Sequence, residues 1–131
     1  MKQFREAVLA KDADAMEALL ADDVTFISPV AHSPYEGKAI TAAILRGVLR
    51  VFEDFRYVRE TSSADGREHD LVFETTVGGR QITGCDFIRL DDDGRIAELM
   101  VMVRPLSGAK ALAEAMGAQF DRIAAEAAAA H

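Results

Sequence analysis

The sequence is poor in the residues that build metal sites and disulfides. It has one cysteine, Cys85, no tryptophan and three histidines among 131 residues. A single cysteine excludes an internal disulfide framework, and the histidines lie too far apart along the chain for a zinc-type ligand set. We therefore expect no metal and no cofactor.

Long apolar runs are also lacking. No stretch approaches the ~20 apolar residues that cross a bilayer, and the first six residues, MKQFRE, do not form the apolar region of a signal peptide. Basic residues are outnumbered, because 15 Lys and Arg against 22 Asp and Glu give a net charge of −7. This acidity disfavours nucleic acid and anionic membranes as partners. We expect a cytoplasmic protein that binds neither.

The chain does have enough apolar residues for a core. Half of its residues are apolar, and its length fits a single domain, which on folding hides about two thirds of the surface of the unfolded chain. We expect one domain over residues 1–131, with an ordered core over about 2–125 and a frayed, alanine-rich tail over 126–131.

The hydrophobic periodicity predicts helices, a strand, a helix, four strands and a last helix. Asp14 and Glu17 have the spacing of a capping box, and Ser107 is a candidate cap for the last helix. The predicted helices cover 2–20 with a break at 11–14, 38–52, and 109–125 with Leu112, Met116, Phe120 and Ile123 on one side. The predicted strands cover 24–27, 55–61, 70–77, 81–90 and 95–104. This order is typical of an α+β fold, in which helices on one face of a curved antiparallel sheet leave a cone-shaped interior.

Two glycine turns predict how the later strands pair. If Gly78-Gly79 is a two-residue turn, Phe73 lies opposite Gly84 and Leu71 lies opposite Asp86. If Asp93-Gly94 is also a two-residue turn, Asp86 lies opposite Val101 and Arg89 lies opposite Glu98. Opposite charges directly across from each other, and a large side chain facing a glycine, both favour this register.

The register divides the sheet into two faces. One face is apolar apart from a threonine and an aspartate, and we interpret it as the wall of a pocket: Leu71, Phe73, Thr75, Gly84, Asp86, Ile88, Leu99, Val101 and Val103. The other face mixes apolar residues with an ion pair, as protein interfaces do: Val72, Glu74, Thr76, Cys85, Phe87, Arg89, Ile96, Glu98, Met100 and Met102. We expect a homodimer through this outer face. A β-bulge in either strand would exchange the faces locally.

Asp86 is the candidate catalytic residue because it lies in the middle of an apolar strand face. Burial disfavours the charged form of a carboxyl and raises its pKa. A neutral acid can donate a hydrogen bond to a carbonyl oxygen, and near neutral pH it can act as a general acid or base. The alternative is structural: Asp86 caps a backbone group or pairs with a buried Arg, Tyr or His.

Several segments together resemble one known family. The motifs are DDVTFISPV at 22–30, YEGK at 35–38, CDFIRL at 85–90 and DGRI at 93–96. They resemble the SnoaL-like and ketosteroid-isomerase-like proteins of the nuclear-transport-factor-2-like superfamily, over residues from about 4 to 106. The resemblance implies a cystatin-like conical fold with an internal pocket, and a dimer.

The resemblance carries over the isomerase site only in part. The aspartic acid of the isomerase oxyanion hole falls on Asp86, but its general base falls on Ser28 and its tyrosine falls on Phe4. A serine is a poor proton acceptor without another base to activate it. The related cyclases use a pocket acid, a part that Asp86 could play, whereas limonene-epoxide-hydrolase-like members need a second acid that the sequence does not offer.

Three functions stay open at this point, and the third is a partner-binding role through the sheet face alone. The first is binding of a small apolar molecule in the pocket with isomerase, cyclase or dehydratase chemistry that uses Asp86. The second is a non-catalytic dimeric module that binds a ligand in a degenerate isomerase site. The residues expected to contact the ligand are Phe4, Ser28, His32, Tyr35, Leu71, Phe73, Gly84, Ile88, Leu99, Val101 and Val103.

The remaining candidates have simpler interpretations. His32 and Tyr35 belong to a proline-rich loop expected at the pocket mouth, where either could assist Asp86 or simply shape the loop. The face of Tyr57 depends on the turn at Asp65-Gly66, and packing is the favoured role. Cys85, opposite in face to Asp86, is interpreted as a small hydrophobe. The acidic run 91–94 lacks the rest of a calcium loop and is interpreted as a solvated turn.

Overall fold

The computed structural model describes residues 1–130 and shows a single six-stranded sheet packed against helices. The helices are α1 (Lys2–Leu9), α2 (Ala13–Ala18), α3 (Lys38–Val51), α4 (Leu106–Gly117) and α5 (Phe120–Ala129). The strands are β1 (Leu20–Ile27), β2 (Tyr35–Glu36), β3 (Glu53–Ser62), β4 (Glu68–Val77), β5 (Arg80–Leu90) and β6 (Ile96–Arg104). The predicted α+β fold is confirmed.

The strand order in the sheet is β2-β1-β6-β5-β4-β3. Strands β3 to β6 form the predicted antiparallel meander, because each is joined to the next by a short turn. The sheet is antiparallel, as predicted, except at one pair, since β1 runs parallel to β6. The chain between β1 and β6 includes α3 and strands β3 to β5. A connection of this length allows β6 to run in the same direction as β1.

The predicted register holds along the meander. Leu71 pairs with Asp86, and Phe73 pairs with Gly84, whose added Cβ would collide with the Phe73 ring. Arg89 lies opposite Glu98, and their side chains form an ion pair at 2.6 Å. A register shift follows Arg89. It turns Ile96 into the core, where it is fully buried, so its predicted place on the outer face was wrong.

The helix ends differ from the predictions in ways that local chemistry explains. The break between α1 and α2 falls at Lys11, whose φ is 54°, and Asp12 rather than Asp14 caps α2 by accepting a hydrogen bond from the Ala15 amide. The last predicted helix is two helices. The first begins directly after Pro105, so Ser107 is not its cap. The second extends to Ala129, so the described part of the predicted frayed tail is helical, and His131 lies outside the described residues.

The helices cover the inner face of the sheet and leave a core in two clusters. The larger cluster joins α1, α3 and α5 to β1 and the meander, with Phe4, Leu71 and Ile123 fully buried in it. The smaller cluster lies between α4 and the part of the meander next to the turn that joins β4 to β5, around Phe73 and Leu112. None of the helices formed by residues 1–130 is long and apolar enough to cross a membrane.

Candidate functional site

A cavity of about 190 Å³ lies between the inner face of the sheet and the helices. The sheet contributes Phe26 from β1, Tyr35 from β2, and residues of β4, β5 and β6. The loop after β1, α3 and the pair α4–α5 close the other sides. The full wall is formed by Phe26, Ser28, Pro29, Val30, Tyr35, Ile44, Leu45, Val48, Phe52, Phe73, Asp86, Val101, Leu112, Ala113, Met116, Gly117, Phe120 and Ile123.

Asp86 is the one charged residue on the wall among the residues that the structure describes. It lies in the middle of β5, between Leu71 and Val101 on the neighbouring strands, and 8% of it is exposed. Burial raises its pKa from the ordinary value of 3.8 to about 7, and a hydrogen bond from Tyr57 opposes part of that rise. Near neutral pH the carboxyl is therefore present in both protonation states, as proton transfer requires.

Tyr57 supplies the hydrogen bond that reaches the Asp86 carboxyl. Its hydroxyl donates to Asp86 Oδ2 at 3.4 Å, a long bond that leaves the carboxyl weakly held. Burial and the neighbouring carboxylate raise the pKa of Tyr57 far above its ordinary value, so the phenol stays protonated and remains a donor. Tyr57 does not line the cavity, so it acts on the site through its hydrogen bond to Asp86.

The sequence favoured ordinary packing for Tyr57. The strand that carries it has two register shifts, one before and one after this residue, so counting from a turn cannot fix its face. One signal was available. Phe55 and Tyr57 alternate along the strand, and both rings pack into the aromatic group around Phe73, which identifies the inner face.

Four further residues predicted to contact the ligand lie on the cavity wall: Ser28, Tyr35, Phe73 and Val101. The Ser28 hydroxyl accepts hydrogen bonds from the amides of Val30 and Ala31, at 3.1 and 3.2 Å, and so shapes the loop at the cavity mouth. The Tyr35 ring packs near that of Phe26, with centroids 6.3 Å apart. Thus Ser28 is held by backbone amides, and no side chain of the described residues donates to or accepts from its hydroxyl.

The other predicted contacts lie away from the wall. Phe4, Leu71, Ile88 and Leu99 are packed in the larger core cluster beneath the cavity. Gly84 is covered by the Phe73 ring, and Val103 packs on the smaller cluster near the end of β6. His32 is exposed on the loop, outside the cavity. Apart from Ile96, the strand faces were predicted correctly, but the helices fill much of the space over the inner face. Of its residues, Phe73, Asp86 and Val101 line the cavity.

The outer face of the sheet holds Cys85 on the opposite side of β5 from Asp86. Burial raises the pKa of the Cys85 thiol to about 11, so the thiol stays protonated and is not a nucleophile. Within residues 1–130, no three His, Cys, Asp or Glu side chains gather as the ligands of a metal ion would.

The C-terminal helices contribute wall residues that the sequence did not predict as contacts. Leu112, Ala113, Met116, Gly117, Phe120 and Ile123 form the side of the cavity opposite the sheet. Four of these were predicted to share one side of a single helix. The bend between α4 and α5 directs both helices at the cavity, and Gly117, the last residue of α4, is the signal for it in the sequence.

The arrangement suits a neutral, mostly apolar ligand with one polar group. The wall offers a single titratable carboxyl and the hydroxyls of Ser28 and Tyr35. Within residues 1–130, no basic residue lines this wall to balance the charge of an anionic ligand. A carbonyl or hydroxyl oxygen could meet Asp86 while the rest of the molecule contacts apolar side chains.

A comparison with known families found a match that covers most of the chain. The model of the SnoaL-like domain matches residues 1–99, which includes the loop after β1, Tyr57 and Asp86. The matched segment ends before α4. A comparison with curated protein sequences found no significant match.

Solved structures with the same fold include close relatives. A protein described as a steroid delta-isomerase from Pseudomonas aeruginosa is 45% identical, with a TM-score of 0.89 over 95% of this chain and 90% of that one. An uncharacterised bacterial protein with a cystatin-like fold from Silicibacter pomeroyi is 35% identical, with a TM-score of 0.85 over 90% of this chain and 82% of that one. A nuclear-transport-factor-2-like protein from Cytophaga hutchinsonii shares the fold at 21% identity, with a TM-score of 0.60 over 79% and 86%.

Proposed function

The chain belongs to the SnoaL-like domain family, and on that premise we propose that it binds a small, neutral, apolar ketone and donates a hydrogen bond from protonated Asp86 to its carbonyl oxygen. The observation that supports this most strongly is a carboxyl with a pKa of about 7 on an otherwise apolar wall. The protonated form donates a hydrogen bond to an oxygen that has only lone pairs to offer. The same bond stabilises an enolate as it forms.

The size of the cavity favours a ligand of one or two rings. Its volume is about 190 Å³, whereas pockets for drug-sized molecules measure roughly 300–1,000 Å³. The charge of the wall favours a neutral ligand, because an anion would meet Asp86 without a balancing cation. A small cyclic ketone satisfies both conditions.

Isomerisation is the chemistry that we assign first. The relative described as a steroid delta-isomerase is 45% identical, and an isomerase of this kind moves a proton from the carbon next to the carbonyl to a carbon further along. Ionised Asp86, the one carboxylate on the described wall, would take the proton from the carbon next to the carbonyl. The neutral acid formed in this way would lie beside the dienolate and return the same proton to the carbon further along.

Non-catalytic binding is the second candidate, and one observation favours it. Residue 28 is a serine whose hydroxyl accepts two backbone amides and meets no carboxylate or imidazole within residues 1–130. A hydroxyl held in this way is not an activated base. If Asp86 cannot perform both proton transfers alone, the cavity binds the ketone without converting it.

Binding is tested with 1-tetralone, a two-ring ketone, by calorimetry between pH 5.5 and 8.5. Because the pKa of Asp86 is about 7, its protonated fraction falls about 30-fold between pH 5.5 and pH 8.5. The affinity for 1-tetralone should weaken by the same factor. Asp86→Asn keeps a donor that does not titrate, so its affinity should not change with pH. The exposed Asp23 lies on β1, and Asp23→Asn is the matched control, which should behave as the wild type does.

Turnover is tested separately with 3-cyclohexenone, whose conversion to the conjugated ketone is followed by ultraviolet absorbance. The isomerase proposal predicts conversion that Asp86→Asn slows by about 100-fold or more. Ketone binding without conversion would select the binding module. The absence of binding at every pH would contradict both functions.

We also propose that the outer face of the sheet pairs with a second copy of the chain. Phe87 lies opposite Met100 and Cys85 lies opposite Met102, beside the ion pair of Arg89 with Glu98. Met102 is 54% exposed and shares the outer face with Cys85, Phe87 and Met100, so the exposed apolar surface belongs to a patch. Apolar anchors beside paired charges are the composition of a protein interface.

A further inference from the structure

We infer that α4 and α5 form a cap that sets the size of the ligand, with Met116 and Phe120 as the residues that determine specificity. This inference rests on the proposed function, because it assumes that the cavity binds a small molecule. It concerns a part of the chain that lies after the segment matched by the family model, which ends at residue 99. The cap is defined as residues 106–129.

The cap forms one side of the cavity with two kinds of residue. Leu112 and Ile123 are almost fully buried and anchor α4 and α5 to the core. Met116 is half-buried, and Phe120 is 45% exposed although it lines the cavity. Val30, on the loop across the wall, is also exposed at 44%. Exposed apolar residues that line a cavity mark its opening, so Phe120 and Val30 lie at the mouth.

Close packing against α3 fixes the position of the cap. Gly47 on α3 faces α5, and a Cβ there would lie 2.9 Å from Ile123 Cδ1 and 3.2 Å from Met116 Cε. The absence of a side chain at residue 47 therefore lets the cap approach α3 closely enough to place Met116 in the cavity. A Cβ at this position would force the ends of the Ile123 and Met116 side chains to move, which would change the cap side of the cavity.

Polar contacts at the bend hold the same position. Gln119, between the two helices, donates from Nε2 to the Gly47 carbonyl at 3.2 Å and accepts a hydrogen bond from Arg50 Nε. The Arg50 guanidinium also forms an ion pair with Glu126 on α5, at 2.9 Å. The bend is therefore tied to α3 by one arginine and one glutamine, and the residues on either side of it, Met116 and Phe120, are held over the cavity.

Met116 and Phe120 therefore limit how far a ligand can extend. Asp86 lies on the sheet side of the cavity, and these two residues lie on the cap side. A longer ketone bound at Asp86 would therefore extend toward them. Their side chains can be shortened without removing the buried anchors Leu112 and Ile123. Shortening them should enlarge the cavity at the mouth and admit longer ketones.

The test compares two neutral ketones, 1-tetralone with two rings and progesterone with four. The double variant Met116→Ala with Phe120→Ala should bind progesterone about 10-fold or more tighter than the wild type does, because deletion of several methylene-sized groups relieves the clash. Its affinity for 1-tetralone should change by less than about 3-fold. Leu106→Ala is the matched control, since Leu106 is on α4, is 72% exposed and does not line the cavity.

Wild-type binding of progesterone as tight as that of the double variant would overturn the cap as a size filter. If the double variant unfolds, Phe120→Ala alone repeats the test, because that residue is partly exposed and its loss disturbs little packing. If the wild type binds neither ketone, the proposed function fails and the cap is tested through the pKa of Asp86. A cap that closes the cavity predicts a lower pKa in the double variant, and an unchanged pKa would refute it.

Discussion

Replacing Asp86 by asparagine should stabilise the protein at high pH and not at low pH. The substitution keeps the shape of the side chain and an oxygen that can accept the Tyr57 hydroxyl, while it removes the ionisable group. In the wild type, Asp86 must be ionised inside an apolar wall once the pH exceeds its pKa. The variant avoids that cost at every pH.

The sign and size follow from the two pKa values. In the folded protein the pKa of Asp86 is about 7, against an ordinary value of 3.8 in the unfolded chain. Below about pH 4 the folded and the unfolded protein both bind the proton, so Asp86 does not make the unfolding free energy depend on pH there. Between the two pKa values only the folded state binds it, so stability falls as the pH rises, and above pH 7 the loss is complete. At about 1.4 kcal/mol for each pKa unit, the total loss approaches about 4 kcal/mol.

Urea unfolding followed by circular dichroism measures this effect at pH 4.5, 6, 7 and 8.5 and constant ionic strength. The unfolding free energy of Asp86→Asn minus that of the wild type should rise across this range and level off above pH 7. Other carboxyls are common to both proteins and cancel in the difference. Asp23→Asn, an exposed control on β1, should show no comparable rise. A difference for Asp86→Asn that is flat with pH would refute the argument that burial raises its pKa.

Three further predictions concern the support of the site, the register and the outer face. Tyr57→Phe removes the hydrogen bond that lowers the pKa of Asp86, so an NMR titration should find that pKa above its wild-type value. Gly84→Ala should destabilise the fold by about 1–3 kcal/mol in urea, because its Cβ would enter the neighbouring aromatic ring. Gly117→Ala, with open space around it, should cost nothing. Met102→Asp should convert a dimer to a 14.2 kDa monomer in sedimentation.

Each of these predictions has a contradicting result. A pKa of Asp86 that is unchanged or lower in Tyr57→Phe would mean that the 3.4 Å contact is not a hydrogen bond in solution. Equal stability of the two glycine variants would contradict the close packing of Gly84. A wild-type monomer at micromolar concentration would contradict the assignment of the outer face.

The meander could be predicted from the sequence because turn chemistry fixes its register. Gly78 and Gly79 both have positive φ, as the two-residue turn requires, and this turn alone sets Leu71 opposite Asp86 and Phe73 opposite Gly84. The parallel pairing of β1 with β6 could not be predicted in the same way. It joins segments about 70 residues apart, and no turn between them specifies the partner.

Two kinds of signal predicted part of the site: strand alternation for the sheet residues, and the family motifs and the loop position for Ser28 and Tyr35. Asp86 and Val101 are on the inner face because of strand alternation, and both lie on the cavity wall. Counting from a turn could not place Tyr57 because bulges interrupt the alternation of its strand, and the alternation of Phe55 with Tyr57 was the one signal left. Met116 and Phe120 share the wall because the chain bends at residues 118–119, directly after Gly117. Glycine is a poor helix former, but the helical spacing of the apolar residues favoured one continuous helix instead.

The central claim is that Asp86 is a proton donor to a ligand in the cavity, and a direct titration tests it. The chemical shift of the Asp86 carboxyl carbon is followed by ¹³C NMR from pH 3 to 9, with and without saturating 1-tetralone. We expect a midpoint near pH 7, consistent with a pKa of about 7, and a higher midpoint with the ketone bound, because the ketone binds the protonated form. A midpoint near 3.8 that the ketone does not move would contradict it.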